Sequence, residues 1–133
     1  MAVKRITVHC LEIEDTPGSL QKILAEVASA NVDMQCFAAF SAGGGRGQVY
    51  LSAKEPQALK ACAQKAGIET TAAVGFIVSG ADRVGAAAEA LKGLADAGIS
   101  GMAGAAMVCD GQYQMLVVVE AADGDAAAEA LGA

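Results

Sequence analysis

The chain has a single histidine, His9, and its four cysteines, Cys10, Cys36, Cys62 and Cys109, form no C-x-x-C pair. Neither a zinc knuckle nor a thioredoxin-type redox motif is present. His9 and Cys10 are neighbours in a strand-like run and so point to opposite faces, which makes them a poor bidentate metal site. The four thiols read as buried, and His9 as a packed or solvated side chain. With one histidine, and with Ser19 beside acidic residues instead of a base, no nucleophile-and-base constellation stands out. Glu12 and Glu14 share one strand face and read as a solvated edge, not as carboxylates facing each other across a glycoside. No catalytic residue, cofactor or metal site is expected.

Long apolar runs are missing as well. Nothing approaches the roughly 18 consecutive apolar residues of a membrane span, and the first 20 residues carry Glu12, Glu14 and Asp15 where a cleavable signal would be apolar. The expected location is the cytoplasm. Basic residues are few: 9 Lys and Arg against 15 Asp and Glu give a net charge of -6 and a pI near 4.6. That balance counts against nucleic acid as a partner. The deficit is concentrated in residues 68–133, which hold 2 basic and 9 acidic residues, whereas residues 1–67 hold 7 and 6. What the chain has in quantity is apolar residues, 54% of 133, enough to bury a core.

In chain order, Lys4 to Ile13 predicts a strand that is partly apolar on both faces. Pro17 to Ala30 predicts a helix whose Leu20, Ile23, Leu24 and Val27 form one apolar stripe. Pro17 suits the first helical position and Thr16 the N-cap, with Asp15 beside the positive end of the helix dipole. Gly18 leaves the first turn bare, so its free N–H groups are open to a carboxylate. Asn31 tolerates the left-handed conformation that ends helices. Asp33 to Ser41 is a second strand. Gly43-Gly44-Gly45 leads into another strand, Gln48 to Ala53, and not into the G-K-[ST] helix of a phosphate loop, so it reads as a hairpin. Glu55 and Pro56 open a helix with Leu59, Cys62, Ala63 and Ala66 on one stripe, ended by Gly67.

The pattern then restarts. Asp82 lies 67 residues after Asp15, and the same offset places Gly85 on Gly18, Leu91 on Leu24, Gly98 on Asn31 and Gly111 on Gly44, with Met115 to Val119 on Gln48 to Ser52. Such self-similarity reads as a tandem repeat. Each copy runs strand, helix, strand, strand, helix, which predicts an α+β fold of two βαββαβ modules with antiparallel sheets and helices on one face. The expected modules are residues 1–70 and 71–133. Too few residues remain for a separate closing strand in the second module, which must lack it or share it. The second loop, Asp82-Arg83-Val84-Gly85, lacks the proline, the hydroxyl cap and the large apolar residue that follows Gly18 in the first copy. Arg83 pairs with a carboxylate or stands free.

Asp15-Thr16-Pro17-Gly18-Ser19-Leu20 resembles the D-x-P-G-x-L turn of the ACT domain, a small regulatory module of amino-acid metabolism. The family follows that turn with a helix and G-I-N-I; here Asn31-Val32-Asp33-Met34 has Asn31 in place of glycine and Asp33 in place of asparagine. The resemblance implies a non-catalytic, amino-acid-binding regulatory protein. Its ligand would lie where two modules meet, touching Asp15, Thr16, Pro17, Gly18, Ser19 and Leu20 of the loop and Asn31, Val32, Asp33 and Met34 at the start of the second strand. Gly18 and Ser19 would offer N–H groups to the carboxylate, and Asp15 or Asp33 would take the ammonium. Asp33 reads equally well as a solvated residue. Asp82, Arg83, Val84 and Gly85 mark a possible second site. The alternative is an oligomerisation or interaction module that has lost its ligand. Either way a homodimer is expected, with any regulatory output passing to a separate enzyme or regulator.

Overall fold

The computed structural model describes residues 1–133. Six strands and four helices follow one another as β1 (Ala2–Glu14), α1 (Ser19–Ser29), β2 (Met34–Gly43), β3 (Arg46–Ala53), α2 (Pro56–Lys65), β4 (Thr71–Ala81), α3 (Ala86–Asp96), β5 (Ala103–Cys109), β6 (Gln112–Val119) and α4 (Gly124–Leu131). A single 3-10 turn, Ala121–Asp123, leads into α4. This is the α+β order of two βαββαβ-type repeats. No helix is long and apolar enough to cross a membrane.

The chain forms two compact units. Thr7–Ala72 contains most of β1, with α1, β2, β3 and α2. Its antiparallel strands pair β2 to β3 and β3 to β1, with His9 opposite Leu51, Leu11 opposite Val49 and Ile13 opposite Gly47. The helices contribute the stripes that the 3.6-residue period requires. Val27 of α1 and Leu59 of α2 are buried with Leu11, Val49, Leu51 and Ala53, and Leu20, Ile23 and Leu24 pack at the margin. Full burial of a side chain such as Leu51 contributes about 1.5–3 kcal/mol.

The second unit joins Met1–Ile6 to Ala73–Ala133. Here β4 pairs antiparallel with β6, and β6 with β5. The first residues of β1 lie on the free side of β4. They occupy the place of a fourth strand, so the closing strand of this repeat is shared with the beginning of the chain. Its core gathers Phe76 and Val78 of β4, Met115, Val117 and Val119 of β6, Leu94 of α3 and Leu131 of α4, with Val3 against it.

The repeat is not gapless. The Asp15 N–H bonds Gly45 O at 2.9 Å and the Asp82 N–H bonds Gly111 O at 2.8 Å. The aspartates are 67 residues apart and the glycines 66. An irregularity of β2 between Ser41 and Gly43 takes up the extra residue. Val49, Leu51 and Ala53 therefore correspond to Met115, Val117 and Val119, not Gln48 to Ser52 to Met115 to Val119. The reason is the two-residue period of a strand: a one-residue slip would turn every core side chain to the other face.

Candidate functional site

α1 starts two residues later than its sequence suggests. Thr16 does not cap it, and Pro17 is not its first residue: the helix begins at Ser19, with Gly18 at the N-cap and no side-chain cap. Gly18 has φ 88 and ψ -10, and the Ser19 N–H bonds Thr16 O at 3.2 Å. Pro17 and Gly18 thus occupy the central positions of a type II turn, where a positive φ selects glycine at the second of them. Thr16 Oγ1 lies 2.6 Å from Ser19 Oγ instead of bonding the backbone. The second copy makes the same backbone turn without a proline. Gly85 has φ 85 and ψ 1, and the Ala86 N–H bonds Arg83 O at 3.2 Å. Val84, in the place of Pro17, is fully exposed.

Above this turn lies open space, since a Cβ on Gly18 would meet nothing within 4 Å. The first intrahelical acceptor, Gly18 O, is taken by the Lys22 N–H at 2.9 Å. The N–H groups of Leu20 and Gln21 have no intrahelical acceptor at this position. Donors aligned with the positive end of the helix dipole can receive a carboxylate. Asp15 Oδ2 is engaged by a 2.6 Å hydrogen bond from Ser41 Oγ. Sequence carried no signal for that contact, which spans 26 residues and forms only when the β2–β3 hairpin pairs, through β3, with β1.

The second group of expected residues is elsewhere. Asn31 takes the left-handed conformation, φ 56, that ends α1, and the Val32 N–H bonds Val27 O at 3.1 Å. Asp33 pairs with Lys54 at 2.8 Å through exposed side chains, and Met34 opens β2 opposite Ala53. Asp15 to Leu20 and Asn31 to Met34 therefore sit at opposite ends of the 11-residue α1, about 16 Å apart at 1.5 Å per residue. Within one unit they do not come together. Of the second loop, Arg83 is bound to Glu89 of its own chain.

His9 is buried, 4% exposed, and its Nδ1 has no hydrogen-bond partner. Burial, and then the charge of Lys60, pushes its pKa below the ordinary value. All four cysteines are free. Cys10, Cys36 and Cys62 are half-buried, whereas Cys109 is exposed, against the expectation that all would be buried. Burial raises the Cys10 thiol pKa. No three of the His, Cys, Asp and Glu side chains gather into a group able to hold a metal ion.

No protein-family model matches the sequence, and no curated protein matches it. Solved structures do. The regulatory subunit of aspartate kinase from Thermus thermophilus, in its ligand-free form, is 16% identical, with a TM-score of 0.70 over 98% of this chain and 93% of that one. Protein BT0572 from Bacteroides thetaiotaomicron is 11% identical, with a TM-score of 0.76 over 96% of this chain and 88% of that one. Aspartate kinase from Synechocystis is 17% identical, with a TM-score of 0.66 over 98% of this chain but only 26% of that one, where the same fold is one part of a longer chain. Over its whole length the chain has the tandem ACT fold of an aspartate kinase regulatory subunit. At these identities the likeness is one of fold.

Proposed function

We propose that this chain is a non-catalytic regulatory protein of amino-acid metabolism that acts in the cytoplasm by binding an amino acid at the Thr16–Ser19 turn. One observation carries the reading: α1 opens on a glycine-centred turn with no side-chain cap, where a Cβ on Gly18 would meet nothing within 4 Å and the Leu20 and Gln21 N–H groups have no intrahelical acceptor. The ligand carboxylate sits there, and Leu20, at the margin of the core, lies beneath its side chain. Asn31 to Met34 serve a ligand held by a second copy, since α1 keeps them away from the turn of their own unit. The functional form is therefore a homodimer, and its output passes to a separate enzyme, as the name of the Thermus regulatory subunit suggests by analogy.

The test is a thermal-shift screen of the twenty common amino acids combined with sedimentation. A ligand at 100 times its dissociation constant adds about 2.7 kcal/mol to the native state. Absence of any shift at 10 mM, or a sedimentation mass of one 13.2 kDa chain at micromolar concentration, would overturn the reading. A second reading, an interaction module without ligand, is favoured by the exposed apolar side chains Phe37 and Phe40 of β2 and Met107 and Val108 of β5. It predicts a dimer with no amino-acid shift.

A further inference from the structure

His9 and Ser52 are, the tyrosines aside, the two buried polar side chains, and their surroundings differ. Ser52 Oγ donates to Thr7 O and accepts from Gln35 Nε2, so its burial is compensated. His9 is 4% exposed, and its Nδ1 is the one buried side-chain nitrogen or oxygen without a hydrogen-bond partner. An imidazole held in this way is tolerated while it is neutral, because one unmade hydrogen bond costs far less than an unpaired buried charge.

The strand register shows what covers the ring. His9 stands opposite Leu51 of β3, and residues opposite one another in an antiparallel pair share a face of the sheet. Leu51 packs with Leu59 of α2, and Leu11, two residues along β1 on the same face, belongs to the same core. Thr7, two residues back, is exposed, so the ring lies at the margin of that core. Lys60 of α2, next in sequence to the buried Leu59, is the one charged side chain that acts on it. No counter-charge comes from elsewhere. β4, which flanks β1 in the sheet, has no titratable residue between Thr71 and Ala81, and Cys10 and Tyr50 pair on the opposite face. Lys22 and Glu26 of α1 and Arg46 of β3 do not act on the ring. The cover itself is weak: α2 has 10 residues, buries Leu59 and Ala63, and has no side-chain cap. A helix of that length is marginal alone in water, so α2 persists because it packs, and once lifted from the sheet it loses its own hydrogen bonds.

We propose that His9 is an acid-sensitive latch for α2. Protonation makes both ring nitrogens donors and places an unpaired cation beside a helix that already carries Lys60. Water solvates that cation only when α2 moves away, so proton uptake and the opening of α2 favour each other. Burial first, and then Lys60, hold the closed ring neutral, whereas the opened ring returns to the ordinary histidine value near 6.5. Closure is therefore complete above pH 6.5 and is lost progressively as pH falls. The open form uncovers Leu11, Leu51 and Val27 and releases Cys62 Sγ from its contact with Glu26 O of α1. The unit that contains α3 and α4 has no histidine and so no such response. The latch is separate from the Thr16–Ser19 turn and does not require a ligand there.

Hydrogen exchange of the full chain, followed by 15N nuclear magnetic resonance from pH 7.5 to 5 and corrected for the intrinsic pH dependence of exchange, tests the latch. The opening constants of the Leu59 and Ala63 amides are expected to rise by up to tenfold per pH unit below 6.5, while those of Val27 in α1 and Leu94 in α3 stay level. His9→Leu should remove the rise. Lys60→Gln, at an exposed position, should move the midpoint of the His9 Cε1–H titration up towards 6.5, and it decides the matter if His9→Leu does not fold. A wild-type midpoint at or above 6.5, or one unmoved by Lys60→Gln, would overturn the latch. So would a rise shared equally by Val27 and Leu94, or one that persists in His9→Leu.

Discussion

Gly93→Ala sets helix propensity against packing, and the two give opposite signs. Alanine is favoured over glycine inside a helix by about 1 kcal/mol, so α3 considered alone predicts stabilisation. The fold predicts the contrary, because a Cβ at residue 93 would stand 2.5 Å from the carbonyl oxygen of Ala130. Ordinary contact begins near 3.4 Å, which leaves the methyl about 0.9 Å short of room. The obstacle is backbone of α4, so relief requires one helix to move against the other instead of a side chain turning aside. Overpacking of this kind costs about 1–3 kcal/mol, and a backbone clash belongs at the upper end. The net expectation is a loss of about 2 kcal/mol. With an unfolding entropy of about 2.1 cal/mol/K per residue, 133 residues give about 0.28 kcal/mol/K, and Tm should fall by about 7 °C. Thermal melts followed by circular dichroism at matched concentration would show it. An unchanged Tm, or a rise of 3 or 4 °C as propensity alone requires, would refute the close approach of α3 and α4 at Gly93.

The left-handed residues before the two first-turn helices should be equivalent: Gly18→Ala and Gly85→Ala each place a Cβ at φ 88 or 85 and should cost about 1–2 kcal/mol in urea denaturation. A neutral Gly18→Ala would sink the type II turn. Ser52 is fully buried, donates to Thr7 O at 2.7 Å and accepts from Gln35 Nε2 at 2.9 Å, so Ser52→Ala should cost about 1–3 kcal/mol. Ser41→Ala, which removes only the exposed bond to Asp15, should change stability by less than about 0.5 kcal/mol on the same assay. His9 has a folded pKa below its unfolded value of about 6.5, so as pH falls the unfolded chain takes the proton first. Its contribution is fully present above pH 6.5 and is lost on acidification towards the lower folded pKa, at up to about 1.4 kcal/mol per pH unit. Urea stability of His9→Leu should lack this component between pH 7 and 5, and parallel curves for the two proteins would contradict it.

Short-range chemistry was enough to determine a good deal here. Leu20, Ile23, Leu24 and Val27 face the core because a helix repeats every 3.6 residues, and Asn31 ends α1 because its side chain tolerates φ 56. The Gly43-Gly44-Gly45 hairpin and the order of strands and helices in each repeat are likewise local, set by backbone permission and by apolar period. Even locally there was an ambiguity: Pro17 suits both the first residue of a helix and the second of a turn, and Gly18, by adopting a positive φ, selects the turn.

What tertiary structure alone decided concerns residues far apart in the chain. The single-residue offset in the repeat is invisible in alanine- and glycine-rich sequence, yet the pairing of Gly80 with Tyr113 settles which side chains face the helices. Met1–Ile6 joins a unit that otherwise begins at Ala73, because a strand's neighbours are chosen by hydrogen bonding across the sheet and not by proximity in sequence. Asp15 bonds Ser41 through an approach that closes only after the strands have paired. The expected site was likewise divided by geometry: one helix length separates Asp15 to Leu20 from Asn31 to Met34, since a helix that carries the chain back along the sheet must deliver its two ends to opposite edges.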